Sequence, residues 1–142
     1  MHEVPSWTKQ YIGIPFSHHG RARDGSDCWG LLVMVFEEQF KIKVPMYDHI
    51  KYDKGDDRTV LSQIVKNAAE ESIWLSVNPK EARLGDVLLI SIYSRPIHVA
   101  VVLNSYDMLH ILPGSDSVVE EFTGLYWRSK VVGAYRHVQL VN

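Results

Sequence analysis

Residues 25–32 (GSDCWGLL) contain the only cysteine of the chain, Cys28, and they open its most apolar run. Residues 28–36 are almost entirely apolar, and the sequence turns polar immediately afterwards. An apolar run that follows Ser or Asp is typical of a buried helix, because these side chains cap free backbone N–H groups. We therefore predict a helix that begins at Cys28, with Ser26 or Asp27 as its N-cap.

The position of Cys28 in the first helical turn bears on its chemistry. Free backbone N–H groups and the positive end of the helix dipole favour a thiolate there, so we predict a reactive thiol with a lowered pKa. A small buried hydrophobic side chain is the alternative interpretation of a lone cysteine. A nucleophile also needs a base, which has to be a side chain from elsewhere in the chain. Gly30, inside the same helix, predicts a close approach of the helix backbone to the sheet.

The composition is that of one globular domain covering residues 1–142. The chain has 142 residues, 46% of them hydrophobic, which is enough for a substantial core. A net charge of −2 gives no electrostatic reason to expect nucleic acid or an anionic membrane as a partner. One cysteine excludes an internal disulfide. We expect neither a signal peptide nor a membrane span, since no basic-then-apolar leader and no long apolar stretch occur.

Apolar periodicity and turn residues predict helices first and an antiparallel sheet afterwards, which is an α+β fold. Ser6 is the expected cap of the first helix. The predicted helices cover residues 6–13, 28–36 and 58–71, with a charged loop at 47–57. The predicted strands cover residues 41–44, 73–77, 86–93, 97–103, 108–112 and 130–138.

His98 and His110 lie in two consecutive predicted strands, and hairpin register decides whether they meet. A three-residue loop at 104–106 pairs Leu103 with Asp107, which makes the two histidines diagonal neighbours on one face, with Cβ atoms roughly 7 Å apart. A two-residue loop would place them on opposite faces. A cysteine, a base and an orienting group are the minimum set for thiol nucleophilic catalysis. Two separate core histidines remain the alternative.

Several segments resemble the NlpC-type cell-wall cysteine peptidases, in an order that covers nearly the whole chain. They are residues 13–16 (GIPF), 20–21 (GR), 27–31 (DCWGL), 83–89 (RLGDVLL), 97–102 (IHVAVV) and 108–110 (MLH). The DCWG version, with 126–128 (YWR) and 133–136 (GAYR) near the end, is most similar to the single-domain members of phage tails and gene-transfer particles. The resemblance implies a papain-like α+β fold, with Cys28 at the start of a buried central helix.

The resemblance also implies roles for individual residues. Cys28 is the expected nucleophile, His98 the general base and later acid, and His110 the residue that orients His98. The backbone N–H of Cys28 is expected to help bind the oxyanion.

For the oxyanion and substrate cleft we name six further residues. They are Asp27, Trp29, Tyr11, Phe16, His18 and His19. Many family members carry tyrosine where this chain has Phe16, so Tyr11 is the candidate substitute for its hydroxyl. His18 and His19 either line the cleft or are solvated loop residues.

The function implied by the resemblance is hydrolysis of an amide in peptidoglycan stem peptides, of the γ-D-glutamyl–diaminopimelate type. No cofactor or metal is expected. The expected partners are stem peptides and the proteins of a phage tail or phage-like particle, in which the chain would act after synthesis in the cytoplasm.

Three alternatives stay open. The chain could be a catalytically weak structural tail subunit, or a Cys-His amidase or acyltransferase that acts on a substrate outside the wall. A zinc site at Cys28 is the least favoured, because the Cys and His spacings match no short zinc-ligand pair.

Overall fold

The computed structural model describes residues 2–46 and 72–141 of the chain. The predicted loop 47–57 and the predicted helix 58–71 lie outside these described residues. The α-helices are α1 (Cys28–Val35) and α2 (Leu125–Arg128), and a π-helical turn, Phe36–Phe40, continues α1. Short 3-10 helices occur at Ser6–Tyr11, Pro79–Glu81 and Val138–Leu140. The strands are β1 (Arg21–Ala22), β2 (Gly25–Ser26), β3 (Trp74–Val77), β4 (Val87–Ile92), β5 (Arg95–Val102), β6 (Asp107–His110), β7 (Val118–Glu121) and β8 (Val131–His137).

Strands β3 to β8 form one six-stranded sheet in the order β3-β8-β4-β5-β6-β7, and each neighbouring pair is antiparallel. Strands β1 and β2 form a separate two-stranded sheet just before α1. The α+β prediction is confirmed, with N-terminal helices followed by a mainly C-terminal sheet. Strands β1, β2 and β7 and helix α2 were not predicted from the sequence, because all four are short.

The hairpin between β5 and β6 has the predicted three-residue register. Val101 pairs with Leu109 and Val102 with Met108, and the Leu103 N–H donates to the Asp107 carbonyl over 2.8 Å. Asn104 closes the loop because its side-chain oxygen accepts from the N–H groups of residues 106 and 107, each over 2.8 Å. The two histidines therefore lie on the same face of the sheet.

The sheet separates two apolar clusters by side-chain alternation. One face packs against α1 and contributes Val99, Val101, Leu109 and Ile111 to the larger cluster, which also contains Cys28. The other face carries Ala100, Val102 and Met108, which pack with Trp127 of α2 in a smaller cluster. His98 and His110 lie on this second face, at every second position along β5 and β6.

Two secondary-structure predictions in the first 46 residues are wrong. Residues 41–44 are not a strand, because Lys41 adopts a left-handed conformation (φ 58°) that ends the preceding turn, and the following residues run along α1. Ile42 and Val44 are buried there, and the Trp29 indole N–H donates to the Pro45 carbonyl over 2.7 Å. Ser6 also does not cap the first helix, since the N-cap is Pro5 and makes no side-chain hydrogen bond.

Asp86 lies in the segment 83–89 of the family resemblance and connects the turn before β4 with β8. It is buried, and its carboxylate accepts two hydrogen bonds of 2.8 Å from the guanidinium of Arg136 on β8. The same carboxylate accepts from the Arg83 backbone N–H over 2.9 Å. A bidentate, charge-assisted contact of this kind fixes β8 beside the start of β4.

Within the two described ranges, no helix is both long enough and apolar enough to cross a membrane.

Gly30 permits a close approach of α1 to the β1–β2 hairpin rather than to the large sheet. A Cβ atom at this position would overlap the Gly20 carbonyl oxygen and lie 2.5 Å from Ser26 Oγ. Both obstacles belong to the segment that leads into α1, so the expected close approach is real but its partner was wrongly predicted.

We expect Gly30→Ala to lower the free energy of unfolding by about 1–3 kcal/mol, because the added methyl group overpacks this contact. Helix propensity alone would raise stability by up to about 1 kcal/mol, so the sign of the change distinguishes the two effects. Gly124→Ala is the matched control, since its Cβ would meet its nearest neighbour at an ordinary 3.5 Å. Urea denaturation of both variants measures the difference, and a more stable Gly30→Ala protein would refute the close contact.

Candidate active site

His98 and His110 form a direct hydrogen bond in the interior. His98 Nε2 lies 2.9 Å from His110 Nδ1, and both side chains are almost fully buried. The strand register brings the rings together, as the diagonal pairing predicts. Because Nε2 of His98 is engaged in this bond, Nδ1 is the nitrogen of His98 that remains for another partner.

Glu120 on β7 continues this chain of contacts. Its place in the site was not predicted from the sequence. His110 Nε2 lies 2.5 Å from Glu120 Oε2, and the Trp127 indole N–H donates to the same oxygen over 3.1 Å. Glu120 pairs with Met108 across β6 and β7, which puts it on the histidine face two residues from the position opposite His110. The missing signal was β7 itself, because residues 118–121 (VVEE) show no alternation.

Cys28 lies next to the strand that carries His98. Asp27 and Cys28 begin α1, which packs against β5, and the sulfur interacts with the backbone N–H groups of Val99 and Trp29. Val99 directly follows His98 in β5. The structure therefore places Cys28 next to the residue that follows His98 in β5, and His98 against His110.

The pKa of Cys28 is raised to about 12, which contradicts the predicted reactive, low-pKa thiol. Burial is the main cause, followed by the negative charge of Asp27, and the N–H groups of Val99 and Trp29 and the charge of Arg21 only partly oppose them. A rise of this size from 9.0 corresponds to about 4 kcal/mol in favour of the thiol. A helix dipole contributes at most about 2 kcal/mol even in partly buried sites, so burial outweighs it.

Burial also keeps both histidines neutral. It lowers the pKa of His98 to about 3, and the charge of His110 adds to the effect. Burial likewise lowers the pKa of His110, although the hydrogen bond and charge of Glu120 act in the opposite direction. Burial therefore favours the neutral form of the Cys28 thiol and of both imidazoles.

Asp27 and Trp29, two of the residues predicted for the cleft, make structural contacts, and their role in the cleft stays a prediction. Asp27 Oδ1 accepts from the Gly30 N–H over 2.8 Å and from Arg21 Nη1 over 2.7 Å, so its carboxylate caps the helix and binds the β1–β2 hairpin. The indole of Trp29 is buried and donates to the Pro45 carbonyl. The backbone N–H of Trp29 interacts with the Cys28 sulfur.

Tyr11 does not supply a hydroxyl to this site. Its hydroxyl donates to Glu38 Oε1 over 2.6 Å and accepts from Gln39 Nε2 over 2.9 Å. Both partners lie in the π-helical turn at the far end of the helix from Cys28, about 15 Å away at 1.5 Å per residue. The predicted substitution by Tyr11 is therefore wrong.

Phe16, His18 and His19 belong to a segment that packs beside the start of α1. The Ser26 N–H donates to the Pro15 carbonyl over 3.0 Å, and Phe16 forms a parallel bridge with Ser26. Phe16 is half-buried against the cluster that contains Cys28, and its ring meets His18 edge-on at 5.2 Å. His18 is exposed, whereas His19 is half-buried and left-handed (φ 61°). Their role as cleft residues stays a prediction.

Among residues 2–46 and 72–141, no cluster of three or more His, Cys, Asp or Glu side chains is arranged to hold a metal ion.

Comparison with known proteins assigns the chain to a family. The model of the NlpC/P60 family matches residues 13–136. The chain belongs to the NlpC/P60 family. A curated relative, the murein DD-endopeptidase MepS/murein LD-carboxypeptidase of Escherichia coli K12, is 22% identical over 124 residues, which cover 87% of this chain and 56% of the relative. The chain thus spans little more than half the length of that relative.

Solved structures show the same fold. A Staphylococcus aureus protein of the NLP/P60 family, described as similar to lipoprotein, matches with a TM-score of 0.64 and 21% identity over 92% of this chain and 39% of its own. An NlpC/P60 family protein from Bacillus cereus matches with a TM-score of 0.64 and 16% identity over 96% and 41%. The NlpC/P60 domain of the peptidoglycan hydrolase SagA matches with a TM-score of 0.59 and 20% identity over 89% and 90%. The papain-like α+β prediction is confirmed.

The lowered pKa of His98 predicts a loss of stability in acid. Because the folded pKa of about 3 lies below the ordinary value of 6.5, the unfolded chain binds more protons at intermediate pH. The contribution of His98 to the free energy of unfolding is complete above its ordinary pKa of 6.5 and declines as the pH falls below that value. The slope approaches about 1.4 kcal/mol per pH unit for one site.

Urea denaturation of the wild type and of His98→Gln between about pH 4.5 and 6.5, above the ordinary carboxyl range, measures this slope. We expect the free energy of unfolding to fall less steeply with pH in the variant than in the wild type. The difference in slope should approach that of one proton, about 1.4 kcal/mol per pH unit. Equal slopes would mean that His98 is not held neutral by the fold.

Proposed function

We propose that this protein is a peptidoglycan endopeptidase that hydrolyses an amide of the stem peptide, of the γ-D-glutamyl–diaminopimelate type, through Cys28, His98 and His110. The observation that carries the proposal is the His98–His110 hydrogen bond of 2.9 Å next to the strand backbone that the Cys28 sulfur contacts. Membership of the NlpC/P60 family and similarity to a murein endopeptidase support the substrate class.

The neutral state of the site favours general-base catalysis over a preformed ion pair. Sγ of Cys28 attacks the carbonyl carbon while its proton passes to Nδ1 of His98. The carbonyl oxygen takes up the negative charge, and the backbone N–H of Cys28 at the start of α1 can donate to it. When the C–N bond breaks, the departing nitrogen takes the proton from His98 and leaves a thioester on Cys28.

Water completes the cycle. Its oxygen attacks the thioester carbonyl while His98 accepts one of its protons, and the C–S bond then breaks to release the carboxylic acid. The proton on His98 returns to the sulfur, so the enzyme ends as it began and one water is consumed per amide. His110 holds the His98 ring through both steps by its hydrogen bond to Nε2.

Substitution of the three residues tests the proposal by their order of severity. We expect Cys28→Ala and His98→Ala to abolish release of muropeptides from purified sacculi, because no neighbour replaces the bond-forming sulfur or the base. In triad enzymes the orienting member is less critical by on the order of a hundredfold, so His110→Ala should keep measurable activity. His110→Asn should keep more, since its amide oxygen can accept from His98 Nε2–H.

Mass spectrometry of the released muropeptides identifies the bond that is cleaved. His2→Ala is the matched control, because it removes an imidazole that stacks on Tyr106 outside the site. All variants must keep the wild-type melting transition. An active His98→Ala protein beside an inactive His110→Ala protein would show that the base is on the other strand. A folded wild type that releases nothing from sacculi would favour the structural-subunit alternative, and turnover of simple thioesters without muropeptides would favour the acyltransferase.

We further propose that the protein works within a phage tail or phage-like particle after its synthesis in the cytoplasm. The support is the sequence resemblance of the DCWG segment and of residues 126–128 and 133–136 to particle-associated family members. Proteomic analysis of purified particles from the source organism tests this, and particles that lack the chain would contradict it.

A further inference from the structure

We propose that Glu120 is a positioning residue that acts on His98 through His110 and selects the tautomer in which His98 can serve as a base. The inference rests on the proposed function. Two consecutive contacts carry it, Glu120 Oε2 to His110 Nε2 at 2.5 Å and His110 Nδ1 to His98 Nε2 at 2.9 Å. Cys28 lies next to the backbone of Val99, the residue that follows His98.

The proton positions follow from the hydrogen-bonding capacity of each group. An ionised carboxylate can only accept, so Nε2 of His110 must carry a hydrogen. A neutral imidazole carries one hydrogen, so Nδ1 of His110 is an acceptor, and Nε2 of His98 must donate to it. Nδ1 of His98 is then left with its lone pair. That is the nitrogen which a general base needs in order to take the thiol proton of Cys28.

Without Glu120 this order is not enforced. His110 could then carry its hydrogen on Nδ1 and donate to Nε2 of His98, which would move the His98 hydrogen onto Nδ1. In that arrangement His98 has no lone pair for the thiol. Burial disfavours the charged form of both rings, so the hydrogen bonds of Glu120 and His110 act on the choice of tautomer.

Trp127 holds the carboxylate in this role. An indole N–H is a donor only, and it donates to the same oxygen, Oε2, that His110 contacts. The indole ring also meets the His110 ring edge-on, with centroids 5.1 Å apart and planes at 89°. Trp127 is buried in the second apolar cluster, so its indole N–H holds the Glu120 oxygen from a fixed position.

Glu120 acts on His110 mainly through the direction of its hydrogen bond and less through its negative charge. Its side chain is 43% exposed, and it borders an open cavity of about 390 Å³ beside His110, so water screens its charge. A neutral acceptor of the same shape should therefore replace most of its function. This expectation separates a tautomer-selecting role from a role that depends on charge.

Three variants test the inference. Glu120→Gln keeps an oxygen acceptor and loses the charge, whereas Glu120→Ala loses both. Glu121→Gln is the matched control, because Glu121 is the next residue of β7 and is exposed on the opposite face. The readouts are the histidine tautomers from long-range nitrogen–proton NMR of the labelled full chain, and kcat and KM for muropeptide release.

In the wild type, Glu120→Gln and Glu121→Gln, we expect His98 to be protonated on Nε2 only. In Glu120→Ala we expect a substantial Nδ1–H population of His98. For Glu120→Ala we expect kcat to fall about 10- to 100-fold, while KM stays within about threefold of the wild-type value. This loss is smaller than the roughly 10⁴-fold fall in kcat that follows when a residue bonded directly to the base imposes the wrong tautomer. Glu120→Gln should restore kcat to within about threefold of the wild type.

An unchanged His98 tautomer in a folded Glu120→Ala protein would overturn the inference, whatever its activity. Equal losses of kcat in Glu120→Ala and Glu120→Gln would also overturn it, because the acceptor would then not be the important property. If the wild type releases no muropeptide, the proposed function fails, and the NMR result alone decides the role of Glu120.

Discussion

The hydrogen bond between His98 and His110 is the contact on which the organisation of the site depends. It exists because a three-residue loop sets the β5–β6 register and puts both rings on one face of the sheet. A shift of one residue would move one ring to the α1 face, because side chains alternate along a strand. The same alternation gives Val99 and Val101 to the core beneath α1, so a single register both builds the core and pairs the histidines.

The start of α1 shows how two opposing effects act on one sulfur. The helix terminus and nearby N–H groups favour the thiolate, but Cys28 lies in a helix whose residues are all buried. Desolvation is the larger effect, and Asp27, which is needed to cap the helix and to bind Arg21, adds to it. Capping of the helix and formation of the thiolate therefore make opposite demands at this position, and burial favours the thiol.

The sequence was sufficient for the features that depend on local pattern. The apolar run after Asp27 predicted α1, and a three-residue loop at 104–106 predicted the diagonal pairing of His98 with His110. It was insufficient where a long-range contact decides the outcome. Glu120 lies on a strand without alternation, so nothing in its neighbourhood suggests which face it occupies. Tyr11 suited a site role by residue type, but its hydroxyl binds Glu38, which is 27 residues away in the chain. The pKa of Cys28 failed for the same reason, since the degree of burial is a property of the whole fold.

The central claim is that the resting site contains a neutral thiol whose proton leaves only when the sulfur attacks. Because the chain has a single cysteine, labelling with carbon-13 at Cβ gives one NMR signal that reports the ionisation of Cys28 directly. With the pKa raised to about 12, the account predicts that this signal keeps the chemical shift of a thiol throughout the neutral range and up to about pH 9. A thiolate shift at neutral pH, or a titration at or below the ordinary thiol range, would contradict it.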